Sequence, residues 1–285
     1  MHQVAVVGAA GRMGSWFTSY FACHGFNVWA YDINQKPSRA VHNIKIKESL
    51  RECVKDADLV IVSVPQEKTV QSIRECSKNM KQGSIIAEIS SIKNKTFAAL
   101  KKVPMNLRPL CIHPMFGPGA SQDVRVKVLL VPVRNEKKEL KIANEIFENA
   151  AITVLSNPRH HDRLIAIVLG LTYFTNIVFA KVISSGNISV LKQVSGTTFG
   201  LQSLITESIL TDEPELISAL IKGNMYTRKY IDQYLKEATS IARLSLGKDN
   251  ENLKAEVQKT KAKMQRWQNL QESYKRLYDI AENIR

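Results

Sequence analysis

The 285-residue sequence contains no unbroken apolar run near the roughly 20 residues of a helical membrane span, so it reads as a soluble chain with no membrane partner. It also lacks a basic stretch ahead of an apolar one at its start. MHQVAVVGAA runs straight into a strand-like pattern, which excludes a secretory or transit signature and makes the cytoplasm the expected compartment. Cysteine is sparse: Cys23, Cys53, Cys76 and Cys111 form no CxxC pair and lie in segments patterned as helix or strand. Free thiols are expected, with neither disulfides nor a metal site. Acidic residues are in deficit, 26 Asp and Glu against 40 Lys and Arg, giving a formal charge of +14. Because those cations are spread along the chain without a zinc-finger or RNP-type motif, the expected partner is a small anionic ligand and not nucleic acid. No internal repeat or low-complexity segment breaks the pattern.

What is present is ordinary globular material, 44% hydrophobic and 23% charged, in a chain long enough for two domains with cores of their own. QVAVV (3–7), NVWAYD (27–32), DLVIVSVP (58–65) and SIIAEIS (84–90) are continuous apolar strand patterns separated by helical stretches. PLCIH (109–113), VKVLLVPV (126–133) and ITVLS (152–156) continue the series, with a helix between the last two. Such strands alternating with helices predict a doubly wound parallel α/β sheet covered on both faces. After SNPRHH only helical periodicity remains, which places an all-helical second domain at 158–285 behind an α/β domain at 1–157. The stretch DRLIAIVLGLTYFTNIVFAKVIS is apolar all round and is expected to be buried at a domain or subunit interface. From Lys248 onward a Lys- and Glu-rich tail with spaced apolar residues reads as one long amphipathic helix.

The turn after the first strand, VAVVGAAGRMGSWF, carries Gly8, Gly11 and Gly14 as GxxGxxG, with Arg12 and Met13 completing it. Glycine there lets backbone N–H groups approach a pyrophosphate at a helix N-terminus, whose dipole favours the negative charge. A tight strand-to-helix turn uses glycine without any ligand, so the context matters. Asp32, ending the next strand, supplies it: a carboxylate there accepts from adenosine ribose hydroxyls and repels a 2'-phosphate, which favours NAD over NADP. Lys36 and Arg39 stand nearby as possible phosphate partners. The domain is therefore read as a Rossmann-type NAD-binding unit, with Ser63 and Pro65 ending the third strand on the nicotinamide side. In RPLCIHPMFGPGA, His113 ends a strand at the carboxyl edge of the sheet, where it is expected to face the ligand crevice. Neutral imidazole, with an ordinary pKa near ~6.5, is suited to accept a proton from a hydroxyl within hydrogen-bond reach.

The series VVGAAGRMGSW, SVP, EISSIKN and HPMFGP closely resembles the prephenate dehydrogenase family of tyrosine biosynthesis, and HHDRLIAIVLGLTYF and ILTDEPELISALIKGN extend the resemblance over essentially the whole chain. The resemblance implies NAD-dependent oxidative decarboxylation of prephenate to 4-hydroxyphenylpyruvate, with arogenate as the alternative substrate. It implies His113 as base, Ser91 binding the substrate hydroxyl beside it, and a homodimer joined by the helical domain with active sites between domains. Lys93 is either a partner for a substrate carboxylate or a solvated loop lysine. Tyr173 stands where the family has a further histidine, and in SGTTFGLQ Gly200 replaces the arginine that holds the ring carboxylate. Lys192, Lys222 or Arg228 are the cations available to replace it. A non-catalytic NAD-binding relative fits the same loss. GAAGRMG also resembles dihydrodipicolinate reductases, but His160 and His161 are followed by Asp162 and Arg163, unlike the paired-histidine motif of that family.

Overall fold

A computed structural model describes residues 2–34, 43–122, 125–247 and 250–283. Lys36 and Arg39 lie outside the described residues. Contacts divide the chain into two compact units, Met1–Ile165 and Ala166–Arg285.

The first unit is built on eight strands: β1 (Gln3–Val7), β2 (Asn27–Tyr31), β3 (Ile44–Ile46), β4 (Leu59–Val62), β5 (Ile85–Glu88), β6 (Arg108–Pro114), β7 (Lys127–Leu130) and β8 (Ala151–Val154). They form one sheet in the order β3-β2-β1-β4-β5-β6-β7-β8. All neighbours run parallel except β6 and β7, which pair antiparallel. That pair departs from the all-parallel expectation because the described residues between Pro114 and Lys127 include no helix, and a parallel partner needs a crossover. The edge strand β3 gave no usable sequence signal at three residues.

Helices cover both faces: α1 (Arg12–Cys23), α2 (Leu50–Val54), α3 (Gln66–Asn79), α4 (Asn94–Lys101), α5 (Glu136–Ile146) and α6 (Pro158–Ile165). On one face Val4 and Val6 pack with Phe17, Phe21 and Phe147; on the other, Ala5 and Val7 pack with Ile73, Cys76 and Leu100. This two-sided burial is why the strands read as continuous apolar runs instead of alternating ones. Cys53, Cys76 and Cys111 are buried free thiols, whereas Cys23 is exposed. The strand order reverses at β1 and β4, and the carboxyl ends of strands at such a switch point are where open α/β sheets bind ligands.

The second unit begins with a π-helical turn, Ala166–Leu171, that runs from α6 into α7 (Thr172–Ile183). It continues through α8 (Ile188–Gln193), α9 (Thr197–Leu210), α10 (Pro214–Ser218), a second π-helical turn (Ala219–Gly223) and α11 (Thr227–Leu246). The tail is two helices, α12 (Asn250–Gln265) and α13 (Leu270–Asn283), not the single one expected. Asn269 ends the run by accepting from the N–H groups of Gln271 and Glu272, which starts a new helix. Buried Asn176 ties α7 to α9 by accepting from Gln202 Nε2 and Thr206 Oγ1, each at 2.8 Å.

The helical run Pro158–Ile183 is long and apolar enough to cross a membrane by length and composition, although Asn176 and six charged or histidine residues interrupt it. Only 22% of its most apolar window is buried within the chain, so Val168, Val178 and Val182 remain exposed.

Candidate functional site

At the carboxyl end of β1, Gly8 turns the chain with φ of +84°, and a Cβ there would stand 2.2 Å from the Ser63 carbonyl oxygen at the end of β4. Gly14, on the first turn of α1, has its own Cβ position 1.9 Å from the Gly8 carbonyl oxygen. Helix and turn are thus pressed together at a distance that only glycine permits. The N-terminus of α1 has no side-chain cap, because Gly11 stands at the cap position, and Arg12 and Met13 form its first residues. Asp32 closes the other side: its carboxylate accepts from Ala10 N–H at 3.0 Å and Asn34 N–H at 3.1 Å, which holds it against the turn. Pro65 stands at the N-cap position of α3, just beyond Ser63, without a capping hydrogen bond. Uncapped helix N–H groups, a bare glycine cradle and a fixed carboxylate beside it fit a dinucleotide, with the pyrophosphate at the helix end and a ribose at Asp32.

Further along the same sheet edge, His113 is the penultimate residue of β6 and is only 3% exposed. Its Nδ1 is 3.0 Å from His161 Nε2, and His161 Nδ1 is 2.9 Å from Asp162 Oδ1. Asp162 accepts two backbone N–H groups at the start of α4, from Lys93 at 2.8 Å and Asn94 at 3.0 Å. Below this chain lies a buried ion pair, Lys93 Nζ to Glu88 Oε1 at 2.8 Å. Lys93 Nζ also donates to the Ile112 carbonyl, and Glu88 accepts from Ser90 N–H, the Ser90 hydroxyl and the Cys111 thiol. Both members of the ion pair therefore have further hydrogen-bond partners, as burial demands. The bonds from Asp162 to the start of α4 also explain why α6 belongs to the first unit and the division falls at 165.

Burial holds the His113 pKa well below the ordinary histidine value, reinforced by the nearby Lys93 and His161. Burial also lowers His161, against the opposing pull of its hydrogen bond to Asp162. Both rings are neutral at neutral pH. Unfolded, each titrates near ~6.5, so below that pH the unfolded chain binds more protons than the folded one. The expected result is stability that is complete above about pH 6.5 and falls as pH drops, by up to about 1.4 kcal/mol per pH unit for each ring. Urea unfolding between neutral and mildly acid pH checks this. Replacing His113 by Asn should make the slope shallower, and an identical slope would contradict the assignment.

Two family profiles match the chain: "Prephenate dehydrogenase, nucleotide-binding domain" over residues 21–155, and "Prephenate dehydrogenase, dimerization domain" over residues 157–259. The chain belongs to the prephenate dehydrogenase family. A Methanocaldococcus jannaschii protein named "Probable arogenate/prephenate dehydrogenase" is 25% identical over 257 residues, 87% of this chain and 58% of that protein. The Haemophilus influenzae T-protein is 22% identical over 223 residues, 78% of this chain and 56% of that protein. The chain thus spans little more than half the length of these relatives. Among solved structures, an Aquifex aeolicus prephenate dehydrogenase in complex with hydroxyphenyl propionate and NAD+ shares the fold, with TM-score 0.73 and 21% identity over 94% of this chain and 99% of that one. Synechocystis arogenate dehydrogenase does so with TM-score 0.68 and 15% identity over 93% of this chain and 100% of that one.

In this member of the prephenate dehydrogenase family, the sequence-derived site residues are placed unevenly. His113 and the Ser90–Lys93 segment come together at the ends of β6 and β5, with Ser91 half-buried in the loop. Lys93 fits neither expectation made for it: it is not solvated, and its ammonium is committed to Glu88 and Ile112. His113 is enclosed, where an open strand-end position was expected. Tyr173 lies in the second unit and donates to Asp212 Oδ2 at 2.7 Å. His161, Asp162 and Glu88 were missed as members of the site. The only sequence signal for the first two was a histidine directly before an aspartate, HHD, which carries no distance information.

Proposed function

We propose that this chain is an NAD-dependent prephenate dehydrogenase, catalysing oxidative decarboxylation to 4-hydroxyphenylpyruvate. The observation that carries the reading is the neutral, enclosed His113 at the carboxyl edge of a dinucleotide-binding sheet, in a chain of this family. Gly8, Gly11, Gly14 and Asp32 would hold NAD, whose bound nicotinamide supplies the hydride acceptor for the ring carbinol carbon. His113 takes the carbinol hydroxyl proton as that C–H bond breaks, so the oxygen's electrons form the ring carbonyl. Loss of the ring carboxylate as CO2 then returns electrons to the ring, and the proton on His113 passes back to the phenolate oxygen. Ser91 is the hydroxyl available beside this proton transfer. The test is NADH formation followed spectrophotometrically with prephenate and with arogenate, each with NAD and NADP. Turnover of prephenate with NAD supports the reading. Cofactor binding without turnover of either substrate identifies a non-catalytic relative instead.

A second reading, arogenate as substrate, is favoured by one feature of the second unit. The open cleft beside Gly200 is lined by Lys192 and Glu207, which form an ion pair at 2.7 Å. Arg228 is likewise paired, with Asp232 on its own helix, and Lys222 makes no ion pair among the described residues. A cleft offering both signs of charge suits a zwitterion, whereas Glu207 repels a dianion. With Glu207→Gln, the Michaelis constant for prephenate is expected to fall about 3- to 10-fold, since an exposed charge contributes about 1 kcal/mol. If arogenate is the natural substrate, its constant should instead rise by a similar factor.

The exposed valines of the Pro158–Ile183 run and the dimerization profile over the same segment support a homodimer. Sedimentation at micromolar concentration should give twice the 32.1 kDa chain mass. A monomer there would refute it.

A further inference from the structure

The proton positions in the buried Asp162–His161–His113 chain follow from donor and acceptor chemistry alone. Asp162 is fixed as an acceptor: both of its oxygens take backbone N–H groups at the start of α4, where the helix dipole also favours the ionised carboxylate. His161 Nδ1, 2.9 Å from Oδ1, must therefore carry a proton, because two bare acceptors at that distance repel. A neutral imidazole has one N–H, so His161 Nε2 is a lone pair. That lone pair faces His113 Nδ1 at 3.0 Å, which must then carry the proton of the second ring. His113 Nε2 is left bare.

We propose that His161 and Asp162 are positioning residues that lock His113 in its Nδ1–H tautomer, leaving its Nε2 as the ring nitrogen that accepts the proton in the proposed dehydrogenase. The proposal rests on the dehydrogenase reading for its catalytic meaning, but the tautomer does not depend on it. Without the relay nothing selects this form, and the alternative Nε2–H tautomer would turn a donor toward the substrate hydroxyl. The relay has a second role once His113 gains a proton. The charged groups around the ring are Lys93 with its partner Glu88, and Asp162 behind His161; the neighbouring thiol of Cys111 is held protonated by burial. Lys93 opposes a positive charge on His113, while Asp162, reached through the hydrogen bond from His161, favours it. The relay thus gives an enclosed imidazole, disfavoured as a cation by burial, a carboxylate to lean on at the moment of proton transfer.

Three replacements and one spectrum test this. In 15N-histidine-labelled protein, His113 resonances are assigned by their loss in His113→Asn, and long-range 15N–1H correlations report which ring nitrogen is protonated. The expected wild-type result at neutral pH is a protonated Nδ1 and a bare Nε2 on His113. Apart from that assignment, the measurement is made on the wild type and needs no variant of His161 or Asp162 to fold. His161→Leu should abolish the preference and lower kcat by about 10²-fold with little change in KM, as other losses of an orienting partner do. His161→Gln, whose amide oxygen still accepts from Nδ1–H, should recover most of both. A wild-type His113 carrying its proton on Nε2, or an unchanged tautomer and kcat in a folded His161→Leu, would overturn the proposal. The expected tautomers in a protein that reduces no NAD with prephenate or arogenate would uphold the relay and overturn only the dehydrogenase reading.

Discussion

Asparagine at position 113 should lower turnover by about 10² to 10⁴ while leaving NAD affinity and substrate KM within a few-fold of normal, the usual range for losing a positioned general base. The size follows from the site. The Asn amide can still donate toward His161 Nε2 in place of Nδ1–H, so the buried hydrogen bond and the fold are kept, but no lone pair remains where Nε2 stood. Steady-state kinetics with a thermal unfolding control measures it. A folded variant with normal kcat would remove His113 from the chemistry. The pH profile of the wild type carries a related expectation. Because burial and Lys93 hold the His113 pKa well below its ordinary value, the acid limb of activity should lie below about pH 6.5 and not at it.

The second large effect is expected from Gly14→Ala. One methyl group would stand 1.9 Å from the Gly8 carbonyl oxygen and 2.8 Å from its carbon, both backbone atoms of the turn itself. Neither can rotate away, so α1 must retreat from the turn, at a cost of about 2–4 kcal/mol from overpacking and lost contacts. Retreat also withdraws the helix N–H groups from a pyrophosphate, so NAD binding should be lost before the fold is. Gly200→Ala is the contrasting control: nothing lies within 4 Å of its Cβ position, and inside α9 the change should raise stability by about 0.5–1 kcal/mol. Urea midpoints and NAD titration of both variants decide the matter. A Gly14→Ala protein with a wild-type midpoint and wild-type NAD affinity would show that the turn relaxes freely.

The sequence by itself determined whatever is written in neighbouring residues. Continuous apolar strands alternating with helices gave the parallel sheet, because burial on both faces leaves its mark on each strand separately. The Gly8–Gly14 turn was legible because the steric demand that requires glycine acts within one strand-turn-helix unit, and Asp32 because it ends the adjacent strand. What only the tertiary structure decided depends on segments far apart in the chain. The antiparallel β6–β7 pair is set by the path of the connection between them, and not by either strand's pattern. Lys93 has the composition of a surface residue, yet the closing of β5 and β6 around it makes it the buried partner of Glu88. His161 lies 48 residues from His113, and Asp162 lies 69 from Lys93; each pair meets only when α6 folds back on the sheet edge. A hydrogen bond needs partners within about 3 Å, and a residue pattern fixes such distances along one element but not between elements.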